Sequence, residues 1–233
     1  MLENLKKELE SAANIEHAKI LQGFFKTGDG EYREGDIFLG IKLPIQREIA
    51  KKYYGLSLPK IQELIKSKVH EHRLTSLIIL TEKYKKAEEE YKGDIFNFYL
   101  KNSKNINNWD LVDISAPQII GDFLHDKKKK ILYELAESEN LWERRIAIVS
   151  SFHFIKRGYF QDTLRISEIL LRDSHDIIHK ATGWMLREVG KKDKKVLKNF
   201  LKKHYAEIHR TTLRYAIEKF PEEERKNYLL GNI

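Results

Sequence analysis

The chain has 233 residues and a net charge of +8, and its charged fraction of 33% still leaves enough apolar residues for a sizeable core. It has no cysteine, which excludes disulfides, thiolate metal sites and cysteine nucleophiles. The excess of Lys and Arg favours polyanions or anionic surfaces as partners, and no apolar run approaches the roughly 20 residues that cross a bilayer.

From the N-terminus, residues 1–8 lack the apolar centre of a signal peptide, so a soluble, cytoplasmic protein is expected. The glycine-rich segment 27–35 reads as a surface loop. It lacks the Gly-Lys-Ser/Thr ending of a phosphate-binding loop and the pattern of a calcium loop. Pro59 stands where a helix begins. In 141–155, Trp142, Ile146, Val149 and Phe152 recur on one helical face, widened by Ile148 and Ile155. In 177–189, Ile178, Ala181, Met185 and Val189 do the same. Gly158 and Gly190 follow as expected C-terminal caps, and Pro221 as a further helix start. Long alternating strand patterns are absent, which predicts an all-α chain.

An internal repeat organises these helices. Arg73, Arg145, Lys180 and Arg214 each open a similar apolar stretch, at spacings of 72, 35 and 34 residues. The first spacing is twice the others, and the missing member falls at Trp109. A period near 35 residues suits a helix pair with short loops. The expectation is one domain over 1–233, an α-solenoid of HEAT-like repeats with a concave basic groove.

Stacked repeats align equivalent side chains along one wall. Trp109, Arg145, Lys180 and Arg214 occupy one position, and Asp113, Val149, Trp184 and Glu218 follow one turn later. Lys180, Trp184, Arg187 and Lys191 form a basic-aromatic stripe beside the apolar one. Such cations pair with phosphates, and tryptophans stack on bases or pack on a sugar. Each tryptophan is also readable as a core residue, Trp109 least so because Asn107, Asn108 and Asp110 surround it with polar groups. Gly183, next to Trp184, permits close approach of another backbone. Asp113 can stabilise positive charge developing at a sugar C1′ and orient a water; its plain alternative is a helix-terminal or salt-bridging aspartate. His175 and His179 have the i,i+4 spacing of metal ligands, yet a solvated helix start explains them, and neither metal nor cofactor is expected. The lysine runs 127–130 and 191–203 read as solvated helix faces or rims.

At these residues the sequence resembles the AlkD family of DNA alkylation repair glycosylases. The matching stretches are Asn-Trp-Asp-Leu-Val-Asp at 108–113, Trp-Glu-Arg-Arg-Ile-Ala-Ile-Val at 142–149 and His-Lys-Ala-Thr-Gly-Trp-Met-Leu-Arg-Glu at 179–188, with Phe-Leu-Gly-Ile-Lys-Leu-Pro at 38–44. The resemblance implies a monomer that clasps double-stranded DNA and hydrolyses the N-glycosidic bond of cationic purines, such as N3-methyladenine and N7-methylguanine. It implies that this is done without flipping the base out. By motif, Asp113 would be the catalytic carboxylate, with Trp109 and Trp184 packed on sugar and backbone. Arg145 would hold a phosphate, with Arg187 as a further candidate, and the groove row assigns Lys180 to phosphates as well. Where family members carry a tyrosine on an N-terminal helix, this chain has Phe24 or Phe25, which keeps the ring and loses the hydroxyl. The alternative functions are a non-catalytic DNA binder and a protein-interaction scaffold.

Overall fold

The computed structural model describes residues 1–25, 27–28 and 35–232, so most of the glycine-rich segment, 29–34, lies outside the described residues. Among those described, regular structure is helical, with one isolated parallel bridge between Ile37 and Val69. No described helix is long and apolar enough to cross a membrane. The chain divides into two compact units, Met1–Ser115 and Ala116–Ile233.

The first unit holds α1 (Leu2–Ser11), α2 (Ile15–Phe24), α3 (Leu43–Lys52), α4 (Leu58–Ile65), α5 (His70–Lys86), α6 (Glu89–Lys101) and α7 (Trp109–Ala116), whose last residue opens the second unit. Helix α5 is its centre, with α1, α3, α4 and α6 packed around it. Leu74, Leu77, Ile79 and Leu80 are buried, but so are His70, Glu71, His72 and Arg73 in its first turns. A helix buried on all sides needs polar partners for such groups. The neighbouring segment 36–41 supplies several of them, as described below.

The second unit holds a π-helical turn, Pro117–Gly121, then α8 (Lys130–Ala136), α9 (Leu141–Ser150), α10 (Phe152–Lys156), α11 (Gln161–Ile169), α12 (Asp176–Lys192), α13 (Lys194–His204), α14 (Arg210–Ala216) and α15 (Glu222–Leu230). Pro117 has no N–H to donate to the preceding turn, and the wider turn follows from it. Helix α9 packs on α12, and α12 on α14. These are the helices that carry Arg145, Lys180 and Arg214, so the 35-residue period is the step from one second helix to the next. The stripe Ile178, Ala181, Met185 and Val189 is buried as its spacing predicts. Leu186, Leu197, Leu201, Leu213, Ile217 and Phe220 complete an apolar cluster across the later helices.

Two local expectations change. The periodic stretch 141–155 is two helices, because Ser150 and Ser151 turn their hydroxyls onto the carbonyls of Ile146 and Ile148, both at 2.6 Å. Such local bonds compete with the helical ladder. Phe152 then starts α10 only half-buried. Gly190 is not a cap. Helix α12 continues through it to Lys192, and its hydrogen side faces Leu197, where a Cβ would collide. Gly158, with φ of 83°, does follow the end of α10 in the left-handed region.

Gly183 permits a close approach of two helices in the second unit. A Cβ there would lie 2.5 Å from Tyr215 Cβ and 2.6 Å from the Thr212 carbonyl oxygen, so α14 fills the space its missing side chain leaves. Gly183→Ala is expected to lower stability by about 2–3 kcal/mol through overpacking. Gly23→Ala, on α2 with nothing within 4 Å, is expected to leave stability unchanged or raise it slightly. Urea denaturation midpoints of the two variants check the contrast.

Candidate active site

Helix α7 starts at Trp109, where the buried Asn108 takes the Trp109 N–H on its side-chain oxygen at 2.8 Å. Leu111, Val112, Ser115 and Ala116 are buried, while Trp109, Asp110, Asp113 and Ile114 are half-buried. Trp109 and Asp113, four residues apart, therefore share the outward face. Behind them, the Tyr99 hydroxyl meets Ser115 Oγ at 2.9 Å. Burial pushes the Tyr99 pKa upward, and the Asp113 charge adds to the rise, which registers how near that carboxylate is.

Trp109 is one ring of an aromatic cluster. Phe25 stacks on it with centroids 5.2 Å apart, and Phe24 stands nearly perpendicular at 5.8 Å. Phe25 also stacks on Phe38 at 5.2 Å, and Phe38 on His70 at 4.6 Å. His70 Nε2 lies 2.8 Å from Asp110 Oδ2, so the first turn of α5 is tied to the first turn of α7. Asp110 Oδ1 accepts the Leu111 N–H at 2.9 Å.

The segment before α3 is held by Glu71. Its fully buried carboxylate accepts from the N–H groups of Leu39, Gly40 and Ile41 at 2.9, 2.8 and 3.2 Å. Gly40 has φ of 79°, and a Cβ would strike Asn14 and Ala18 of the α2 start. Its carbonyl accepts from His17 Nδ1 at 2.7 Å. Arg73 adds an ion pair to Asp36 at 2.6 Å. Burial lowers the Arg73 pKa to about 10, opposed by Asp110 and Glu71, so it stays charged at neutral pH.

In the second unit the predicted cations differ in setting. Arg145 is 6% exposed, with Nη1 donating to the Ile177 carbonyl at 3.0 Å. Val149, one turn on, is fully buried, so the sequence row does not present its side chains evenly. Lys180 is exposed and lies 2.6 Å from Asp176. Trp184 is half-buried, tilted against Phe152 at 5.7 Å. Arg187 is half-buried and paired with Glu218 and Glu188. Trp142 belongs to the core. His179 is also buried, its Nε2 on the Asp173 carbonyl, and His175 caps α12 by accepting the Ile177 N–H. Among the described residues no group of three His, Asp or Glu side chains could hold a metal ion.

The family model for DNA alkylation repair enzymes matches residues 5–220. The chain belongs to that family. No curated protein matches it. Among solved structures, a predicted DNA alkylation repair enzyme from Enterococcus faecalis is 15% identical, with a TM-score of 0.70 over 90% of this chain and 97% of that one. AlkD2 from Streptococcus mutans is 20% identical, with a TM-score of 0.56 over 89% and 98%. The protein smu.31 from Streptococcus mutans UA159 is 22% identical, with a TM-score of 0.56 over 77% and 93%. These likenesses establish the fold, an all-α array of HEAT-like helical repeats.

In this DNA alkylation repair family member the sequence pattern singled out Trp109 and Asp113, whereas the supporting bonds of Glu71, His70 and Asp110 carried no pattern of their own. Glu71 stands among His70, His72 and Arg73, so its sequence surroundings do not mark it as buried. Glu71→Ala leaves three backbone N–H groups without their acceptor and is expected to cost about 3 kcal/mol or more. Glu71→Gln, which keeps the volume and one acceptor oxygen, should lose less. Urea denaturation, followed by tryptophan fluorescence, measures both.

Proposed function

We infer that this protein is a DNA glycosylase that releases cationic alkylated purines from duplex DNA. The carrying observation is the outward face of α7, where Asp113 follows Trp109 by one turn beside Phe24 and Phe25. A purine alkylated at N3 or N7 carries a positive charge and leaves as a neutral base. Its departure needs no general acid. The charge it leaves behind develops at the sugar C1′ and ring oxygen, and water attacks that carbon.

In this reading Asp113 faces the developing cation and orients the water. Opposite unit charges about 4 Å apart at an effective dielectric near 20 attract by about 4 kcal/mol. That amount corresponds to roughly a thousandfold in rate. Trp109 packs on the sugar, so the carboxylate is aimed at C1′ while the base stays in the duplex. Lys180 is assigned a phosphate contact, exchanging Asp176 for the DNA backbone. Arg145, Arg187 and Trp184 are assigned to the same substrate on the strength of the family membership and the sequence period. Arg145, at 6% exposure and bonded to the Ile177 carbonyl, meets a phosphate only through its remaining N–H groups.

Asp113→Asn is expected to slow release of N7-methylguanine from methylated duplex DNA by about a hundred- to a thousandfold, with DNA affinity largely kept. Unchanged release by the purified variant overturns the assignment. Wild-type binding without any base release would instead describe a non-catalytic DNA binder. Lys180→Ala is expected to lower the log–log salt slope of binding by about 0.9, the signature of one lost phosphate contact. Titrations at several salt concentrations measure it.

A further inference from the structure

The second helices of three successive repeats start on the same device with different chemistry. Asn140, His175 and His209 stand 35 and 34 residues apart, the same step as Arg145, Lys180 and Arg214. Each precedes its helix and takes an N–H of the first turn on its side chain. Asn140 Oδ1 accepts from Trp142 and Glu143 at 2.9 and 3.3 Å, capping α9. His175 Nδ1 accepts from Ile177 at 3.3 Å, capping α12, and His209 Nδ1 accepts from Thr211 at 3.2 Å, capping α14. An amide oxygen accepts at any ordinary pH. An imidazole nitrogen accepts only while it carries no proton.

Protonation does more than remove a bond. It sets a positive charge against the free N–H groups and the positive end of the helix dipole. At α14 it also charges a stack, because the His209 ring lies on His179 with centroids 3.8 Å apart and planes at 18°. His179 is buried and its Nε2 donates to the Asp173 carbonyl, so its Nδ1 is bare, with no partner among the described residues.

The surrounding charges are engaged with each other. Around His175 stand Asp173 of the preceding loop, Arg144 of α9, and Asp176 and His179 of α12 itself. Asp173 is paired with Arg144 at 2.5 Å and Asp176 with Lys180 at 2.6 Å. Burial holds the His175 pKa below its ordinary 6.5, against the pull of Asp173. The folded state therefore resists a proton that the unfolded chain accepts. The stability from this cap is present above pH 6.5 and is lost as pH falls through the folded value. Near His209 are Glu207, paired with Arg172 at 2.8 Å, and Arg210, which donates to the Leu229 carbonyl of α15. On the α12 side Asp176 accepts from Thr211.

We propose that His175 and His209 form a pH-sensitive latch: neutral, they cap α12 and α14, and protonated, they release both helix starts and loosen the last repeats of the second unit. The start of α9, capped by Asn140, does not respond. The latch acts on folding and needs no DNA, so it stands apart from the glycosylase reading.

The test is hydrogen exchange of the full-length protein at about pH 7.5 and about pH 5.5, on either side of the ordinary histidine range, corrected for the intrinsic pH dependence of exchange. Wild type is expected to lose about fivefold in protection at the starts of α12 and α14 on acidification, the scale of one cap each, while the start of α9 stays level. His175→Asn with His209→Asn places the Asn140 chemistry in both repeats. That variant should match wild type near neutrality and lose the acid response. His175→Ala with His209→Ala should show the fivefold loss already near neutrality and little more in acid. His209→Asn alone, at an exposed residue that folding tolerates, should abolish the response of α14 and keep that of α12. An Asn variant that keeps the wild-type response overturns the latch. So does an Ala variant as protected as wild type near neutrality, or an equal acid response at the start of α9.

Discussion

The carboxylate of Glu71 lies wholly inside the protein, where an unpaired charge would cost several kcal/mol. Three successive backbone N–H groups of the segment 39–41 offset that cost, and in doing so they fix the path of the chain before α3. The consequences spread by contact. Gly40, held in its left-handed conformation, turns its carbonyl to His17 and leaves room for the start of α2. Phe24 and Phe25, at the other end of α2, then meet Trp109. One residue before Glu71, His70 reaches Asp110 and supports the same cluster from below. A single turn of α5 therefore sets both the helix that supplies the phenylalanines and the helix that supplies the tryptophan and carboxylate. This is preorganisation in the physical sense: the polar groups that would otherwise need water are spent on one arrangement of the backbone.

The second unit is held together differently. Its helices stack through apolar faces, and glycines rather than buried charges set the spacing. Gly121 lets the π-helical turn lie against Ser150 and His153, and Gly183 lets α14 lie against α12. Ion pairs such as Arg144 with Asp173 and Arg172 with Glu207 tie one repeat to the next at the loop ends. Close packing of this kind tolerates substitution at exposed positions and resists it at the glycines. A repeat array needs this uniformity, because each unit is covered by its neighbours.

The helices over 141–155 and 177–189 were legible because their apolar residues recur at a period near 3.6, whereas α5 of the first unit is buried on all sides and shows no such stripe. The 35-residue step was legible for the same reason, and α9, α12 and α14 realise it. What the period could not give was rotation within each repeat. At α9, Arg145 and Val149 turn inward, whereas at α12 Lys180 is exposed and Trp184 half-buried. Rotation is decided by packing partners far away in sequence, and Ile177, which accepts from Arg145, lies 32 residues on. Gly190 shows the same limit. A glycine near a helix end fits a cap, but here it is demanded by Leu197 of the next helix. The polar network around Glu71 was not legible because its partners are backbone N–H groups, which carry no sequence signature. The stretch 38–44 matched a family pattern, and the buried carboxylate gives the physical reason for its glycine.

Helix α7 presents two half-buried carboxylates on one side, Asp110 and Asp113, three residues apart, and the proposed chemistry has to distinguish them. Asp110 has one oxygen on the Leu111 N–H and the other on His70. Those bonds hold the first turn of α7 in place, and a water-orienting role would require breaking one of them as the sugar develops charge. Asp113 sits a full turn from Trp109, so a sugar packed on that ring meets its carboxylate from the same side. The two acids thus divide by their place on the helix. Asp110 fixes the helix on α5, and its negative charge, held nearby, adds to the field that favours a cation over the α7 face. In the proposed reaction, Asp113 is the carboxylate assigned to the cation, because it shares the face of Trp109. Moving the carboxylate by one residue to position 112 or 114 would swing it by about a hundred degrees around the helix, away from the face that Trp109 defines.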